Sequence, residues 1–276
     1  MRGYIARDRD RGRIVGFAGA IPHAYMHQGG VIPALLGTTF RVLPRYARAG
    51  LSILMHMRDL GQRLMVVQTT PLPRLQDVLI KMGARALTQV TRRIYPLGAF
   101  ASAQASFLDS WPDLPKDLRI VLHLDQVLEI ARPESQQHGL HRAVSLAGLR
   151  WQLNSPMQRL RLLGAVDQSG RMTSYLLLRP ARVLRFLDVW ELVDAWSSRV
   201  GEGELYALTG ALAADPTLLG RSRCWLSTVA FPSDVIWQGS PAVFQHRETV
   251  CHYYLLPPCL HDAQLSPVLA EGDLLL

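Results

Sequence analysis

The sequence predicts an α/β protein built on mixed sheet, on three observations. Short runs rich in β-branched and aromatic residues alternate with segments whose apolar residues recur at helical spacing. Pro and Gly punctuate the boundaries between them. Of the 276 residues, 49% are apolar and 19% charged, which suits a chain with a substantial core and excludes a disordered one.

Residues 4–7 and 14–21 read as two strands of a hairpin, joined by the polar turn at residues 8–12 and closed by Pro22. A loop with His23, Tyr25, His27 and a Gly29-Gly30 pair leads to a central strand, residues 36–42. Pro44 ends that strand, because it has no N–H to donate to a ladder. A basic loop of small residues follows at 45–50. From Leu51 the apolar residues Leu51, Leu54, Met55, Met57 and Leu60 take helical spacing, and Gly61 is a natural stop. Residues 64–68 read as a short buried strand, 74–82 as a helix closed by Gly83, and 86–95 as a strand. The order is β-β-β-α-β-α-β.

A strand, a basic loop and a helix in succession leave backbone N–H groups free at the positive end of the helix dipole. Arg45 and Arg48 add two full charges there, so the segment reads as an anion site with phosphate as its occupant. The net charge of +8 also favours an anionic partner. The arginines are scattered and not interleaved with aromatic residues, so no nucleic acid is expected. Cys224, Cys251 and Cys259 form no CxxC, which gives neither a disulfide framework nor a zinc site. No apolar run approaches the roughly 20 residues of a membrane span, and residues 1–8 lack a signal-peptide core. A soluble, cytoplasmic protein without membrane partners is expected.

The chain changes character between residues 98 and 117, where small residues and Trp111-Pro112-Asp113-Leu114-Pro115 read as a linker. Beyond it, strands are expected at 119–124, 160–167, 172–179, 183–192, 224–230 and 249–256. Helices are expected at 125–132, 138–153, 204–214 and around 235–238. This repeats the first element order, now preceded by a strand and two helices.

Val15-Gly16-Phe17-Ala18-Gly19, then Thr39-Phe40-Arg41-Val42-Leu43-Pro44-Arg45-Tyr46-Ala47-Arg48-Ala49-Gly50-Leu51, then Lys81-Met82-Gly83-Ala84, resemble the core of the GNAT superfamily of acyl-CoA-dependent N-acyltransferases. The resemblance covers residues 4 to about 95. It implies two GNAT-like mixed-sheet domains in tandem, the first incomplete at its N-terminus. Their expected limits are 1–98, a linker at 99–117, a degenerate second domain at 118–262 and a tail at 263–276. In that family the central strand opens away from its neighbour and hydrogen-bonds the pantetheine arm, while the loop and helix N-terminus hold the CoA pyrophosphate. Carried over, the acyl-CoA site comprises Phe40, Arg41, Val42, Arg48, Ala49, Gly50, Leu51 and Ser52.

The departures are specific. The family's loop reads Gln/Arg-x-x-Gly-x-Gly/Ala, and here Ala47 and Ser52 stand at its first and last positions. Leu79 stands where many members carry a Tyr that protonates the leaving thiolate, and leucine has no proton to give. Ala84 replaces an aromatic. Residues 142–156 resemble the Arg…Leu-x-Trp-Arg-Tyr…Pro segment of tandem-GNAT proteins found with bacterial polysaccharide genes, with Gln152 and Leu153 departing. Residues 196–203 offer no comparable phosphate loop, so CoA is expected in the first half alone.

Acyl transfer needs an oriented thioester, a polarised carbonyl and a base. His23 and His27 are the candidate bases, since imidazole titrates near neutral pH. Tyr25 and Tyr46 are candidate acids, and each of these four residues also suits an idle exposed position. No Gly-x-Ser-x-Gly elbow occurs. His138 and His141 share a predicted helix face, but no HExxH accompanies them, so no metal is expected. Asp188 and Glu191, three apart on a strand, face opposite sides and make no carboxylate pair. The tryptophans are expected in the core. The function implied is acetyl transfer from acetyl-CoA to a small primary amine, in polysaccharide or cell-envelope metabolism. The alternative is the same fold without catalysis, as a binding or scaffolding protein.

Overall fold

The computed structural model describes residues 2–69, 71, 73–98, 101, 111–133, 139–155, 159–183, 186–199, 203–220, 225–230 and 242–266. The helix expected at 235–238, His138 and residues 267–276 lie outside them, as do most of residues 99–110.

In chain order the strands are β1 (Arg2–Arg7), β2 (Ile14–His27), β3 (Gly30–Val42), β4 (Met65–Thr69), β5 (Arg85–Pro96), β6 (Arg119–Val121) and β7 (Glu129–Ile130). They continue with β8 (Leu140–Arg142), β9 (Arg161–Val166), β10 (Arg171–Val183), β11 (Leu187–Ser197), β12 (Trp225–Ala230), β13 (Phe244–Leu255) and β14 (Leu265–Ser266). The described α-helices are α1 (Ala47–Gly61), α2 (Pro73–Lys81), α3 (Leu146–Leu153) and α4 (Gly203–Ala214). All fourteen strands of the described residues join one mixed sheet, ordered β14-β8-β2-β3-β4-β13-β5-β12-β11-β10-β9-β6, with β1 on β2 and β7 on β10. No described helix is long and apolar enough to cross a membrane.

Several expected boundaries move. β2 does not stop at Pro22 but runs to His27, so His23, Tyr25 and His27 are strand residues and not loop residues. Pro22 is tolerated because it falls between the strands on β2's outer edge, β1 pairing up to Ala20 and β8 from Tyr25. A two-residue turn, Gln28 (φ 48°) and Gly29 (φ 77°), then reverses the chain with both residues left-handed, the type I′ geometry that suits a twisted hairpin.

α1 begins at Ala47, ahead of the expected Leu51, because a 3₁₀ turn at Pro44–Tyr46 feeds straight into it. Arg48, Ala49 and Gly50 are therefore residues of the first helical turn, not of a loop. The helix buries Ile53, Leu54 and Met57 against Val66 and Leu255, leaving Leu51 and Met55 exposed.

In the second half, the helix expected at 125–132 is a 3₁₀ turn, Leu124–Gln126, followed by the short β7, which pairs with β10. The helix expected at 138–153 divides into β8, paired with β2 and β14, and α3. Ser145 caps α3 by accepting a hydrogen bond from the Gly148 N–H at 3.1 Å. The strand expected at 183–192 lies at Leu187–Ser197. Trp111, in the expected linker, is buried and meets Tyr95 edge-on with ring centroids 6.0 Å apart.

The halves interlock. β13, from the end of the chain, lies between β4 and β5, and β5 pairs on its other side with β12. β3 pairs with β4 in parallel, as β11 does with β12, and each pairing ends early, at Gly37–Gln68 and at Glu191–Ser227. Each departing strand carries an extra residue at that place, Thr38 opposite the Gly19–Ala20 step and Val193 opposite Leu177–Leu178. A bulge of this kind bends a strand and ends its pairing.

Candidate functional site

Beyond Gly37, β3 stays paired with β2 but has left β4. On the other side of β4, β13 pairs as far as His252–Thr69 and then runs on beside β5 alone. The sheet thus opens a gap past the end of β4, with residues 38–42 of β3 on one side and β13 on the other.

α1 stands at the end of the β3 wall. Gly50 is buried, and a Cβ there would lie 3.3 Å from Val42 Cγ2. A Cβ at Gly16 would lie 3.2 Å from the same methyl. Two glycines therefore let Val42 seat the first turn of α1 close against the strand. N–H groups at the head of a helix have no acceptor within it. α1 supplies none from a side chain: its N-cap residue Tyr46 makes no capping bond, and its first turn holds no acidic residue. Arg48 is exposed, and the Arg45 guanidinium lies 5.0 Å from the centre of the Tyr46 ring. A helix head without a side-chain cap, its dipole and two guanidinium groups meet here.

Tyr46 is engaged elsewhere. Its hydroxyl donates to the Asp8 carboxylate and accepts from Arg13 Nη2 at 3.4 Å, which pins the β1–β2 turn beside the head of α1. That hydrogen bond from Tyr46 is the main reason the Asp8 carboxyl lies below its ordinary range.

Of the residues expected to hold acyl-CoA, Phe40 and Val42 are half-buried against the α1 cluster, and Arg41 is exposed. Ala49 is half-buried, while Leu51 and Ser52 are exposed. The structure thus brings the strand and helix groups together at one end of the gap. His23, Tyr25 and His27 sit apart, paired with Ala34, Ile32 and Gly30 on the stretch of β3 before it departs. Tyr25 is only 3% exposed and packs with Leu140, Met65 and Tyr254. His23 is half-buried, and burial, helped by the charge of Arg142, pushes its pKa down to about 4.

Sequence reasoning missed the polar groups at the base of the gap. Thr69, the last residue of β4, is 4% exposed, and its Oγ1 has no hydrogen-bond partner among the described residues. Across from it stands His252, also 4% exposed, with Nδ1 3.4 Å from the Tyr254 hydroxyl and its pKa pushed down to about 4 by burial. Leu79 on α2 is fully buried.

The second half differs at each corresponding place. The head of α4 carries the buried Glu204, whose Oε1 lies 3.1 Å from Arg199 Nε, so its positive end is already met by a carboxylate. Beyond the Val193 bulge, Asp194 is buried, ion-paired with Arg142 and bonded at 2.7 Å by the Tyr175 hydroxyl. Burial raises the Asp194 carboxyl above its ordinary range despite these partners. A cavity of about 550 Å³ lies near α4, lined by Arg132, Arg171 and Arg199 with Glu129 and Asp167. With Glu204 pairing Arg199, charges there balance and leave no net pull on an anion.

No family model matches the chain, and no curated protein matches its sequence. Solved structures do match. A probable N-acyltransferase of Enterococcus faecalis superposes with a TM-score of 0.56 at 14% identity, covering 87% of this chain and 58% of that one. A GCN5-related N-acetyltransferase of Anabaena variabilis gives 0.59 at 11% identity, covering 91% and 61%. One from Kribbella flavida gives 0.52 at 9% identity, covering 87% and 57%. The chain therefore spans about three-fifths of the length of each, and identities this low speak for fold alone. The fold of the chain, a large mixed sheet with a departing central strand, is the one these acyltransferase structures share.

Proposed function

We propose that the chain works as an acyl-CoA-dependent N-acyltransferase whose cosubstrate site is the departing end of β3 and the head of α1. The observation that carries this reading is the uncapped, acid-free first turn of α1, set beside Arg45 and Arg48 where β3 has left β4. Bound acyl-CoA supplies an activated acyl thioester. Phe40, Arg41 and Val42 would hold its arm through their backbone groups. Arg48, Ala49, Gly50, Leu51 and Ser52 would hold its diphosphate through N–H groups and guanidinium charge. The backbone N–H groups of β3 on the gap side are then placed to polarise a carbonyl.

In finer detail we read an acetyl group, a small primary amine as acceptor and a cytoplasmic setting, with two GNAT-like units in tandem. The repeated bulge-and-departure at Thr38 and Val193 supports the tandem reading. Glu204 at the head of α4 and the filled position of Asp194 favour one cosubstrate per chain. A second reading, binding without catalysis, is favoured by Leu79, which offers no proton on α2. Thiol release from acetyl-CoA in the presence of an amine separates the two. The grip itself is tested by comparing acetyl-CoA with acetyl-pantetheine, which lacks the diphosphate. Acetyl-CoA should bind at least tenfold more tightly, and equal affinities would remove the α1 head from the site.

A further inference from the structure

The cavity of about 550 Å³ beside α4 takes its walls from three separate segments. They are the end of β7 with Glu129 and Arg132, the β9–β10 turn with Asp167 and Arg171, and the run-out of β11 with Ser198 and Arg199. Backbone hydrogen bonds tie the three together. The Ala131 N–H donates to the Met172 carbonyl at 2.9 Å, and the Ser198 N–H donates to the Thr173 carbonyl at 2.7 Å. A preformed space of this size suits a small organic molecule. Most of its charge is already committed. Asp167 accepts from the backbone N–H groups of Ser169 and Arg171 and pairs with the Arg171 guanidinium at 3.0 Å. Arg199 lies 3.1 Å from Glu204 and 3.7 Å from Asp117. Two charges are left over, of opposite sign. Among the described residues neither the Glu129 carboxylate nor the Arg132 guanidinium has a hydrogen bond or an ion pair. Strand rise puts two such residues about 10 Å apart along the backbone. Ser198, 4% exposed, adds to the lining a hydroxyl that makes no hydrogen bond among the described residues.

We infer that this cavity binds a free α-amino acid with an uncharged side chain, its carboxylate on Arg132 and its ammonium on Glu129. An inorganic anion drawn to Arg132 would also meet the Glu129 carboxylate, and a polyamine faces the reverse conflict. A zwitterion answers both charges and adds no net charge to a cavity whose own charges cancel. The Ser198 hydroxyl is a further donor to the carboxylate. An uncharged side chain follows because the remaining arginines are already matched by acids. The volume leaves room for a side chain as large as that of phenylalanine. In the sheet β4, β13, β5 and β12 stand between β3 and β11, so this site is distinct from the head of α1 and independent of the transferase reading.

Calorimetry on the full chain tests this with L-leucine, L-phenylalanine and L-glutamine, and with sodium phosphate and spermidine as probes of a single sign. At least one amino acid should bind with a Kd below about 1 mM. Its N-acetyl form lacks the ammonium and its amide lacks the carboxylate, and each should bind at least about tenfold more weakly. Glu129→Gln and Arg132→Gln should each weaken the parent amino acid by about the same factor, with melting temperature and acetyl-CoA binding unchanged. Arg132→Gln should cost nothing further against the amide, nor Glu129→Gln against the N-acetyl form. The inference is overturned if no amino acid of the panel binds, or if either blocked form binds as well as its parent. Amino-acid binding that both variants leave unchanged overturns it too, because the ligand then sits elsewhere. So does phosphate bound more tightly than every amino acid and weakened by Arg132→Gln, or spermidine so bound and weakened by Glu129→Gln. A wild type that binds an amino acid in this pattern but no acetyl-CoA removes the transferase reading and leaves this site standing.

Discussion

Arg92 on β5 and Glu191 on β11 meet over the intervening β12, with Nη1 2.7 Å from Oε1 and side chains only 12% and 5% exposed. The other Glu191 oxygen takes Arg179 from β10 at 2.6 Å. One carboxylate thus ties the first half of the chain to two strands of the second. Removing one partner of a buried pair leaves uncompensated charge. Glu191→Gln should therefore cost about 3 kcal/mol in urea unfolding. Adding Arg92→Met should recover part of that loss, since the two changes share an interaction.

The position of β13 predicts that the first half does not stand alone. In residues 1–98, β4 and β5 would each lose β13 as neighbour, and Val66 would lose its contact with Leu255. Expressed by itself, this piece should show little cooperative unfolding by circular dichroism. A sharp two-state melt would contradict the interlocked arrangement.

Stability should fall as the solution is made acidic. His252 takes a proton near its ordinary pKa when unfolded but only at about 4 when folded. Between those values the unfolded state binds more protons, so the folded state loses ground as pH drops, by about 3 kcal/mol in full. His23 acts in the same direction, and the raised carboxyl of Asp194 acts against it. Urea unfolding from pH 7 to 4.5 should show the decline, with a shallower slope in His252→Leu.

Gly50 sets how closely α1 approaches β3. Alanine in a helix interior is ordinarily favoured over glycine by about 1 kcal/mol. Here the added Cβ meets Val42 Cγ2, which Gly16 hems in from the other side. Gly50→Ala should gain nothing in stability, and Gly50→Val should lower the melting temperature and weaken acetyl-CoA binding about tenfold.

Much of the first half was legible because its punctuation is local. Pro44, Gly61 and Gly83 mark ends that the residues around them enforce. What escaped depends on partners far along the chain. Leu140, His141 and Arg142 carry helical spacing, yet they are strand because β2 and β14 offer edges to pair with. Trp111 looks like linker until Tyr95 and Tyr206 are seen against it. The candidate site divides the same way. The Arg48–Ser52 segment follows from a strand, a proline and a helix in succession. Thr69 and His252 become neighbours only when the last long strand inserts beside β4, and no spacing in the sequence announces that.

The most direct measurement is a calorimetric titration with acetyl-CoA of the wild-type chain and of Arg48→Glu. One molecule should bind per wild-type chain, and the reversed charge at the head of α1 should weaken binding at least tenfold, about 1.4 kcal/mol or more. Equal affinity in the two proteins, or no binding in either, would contradict the assignment of this helix end to a diphosphate.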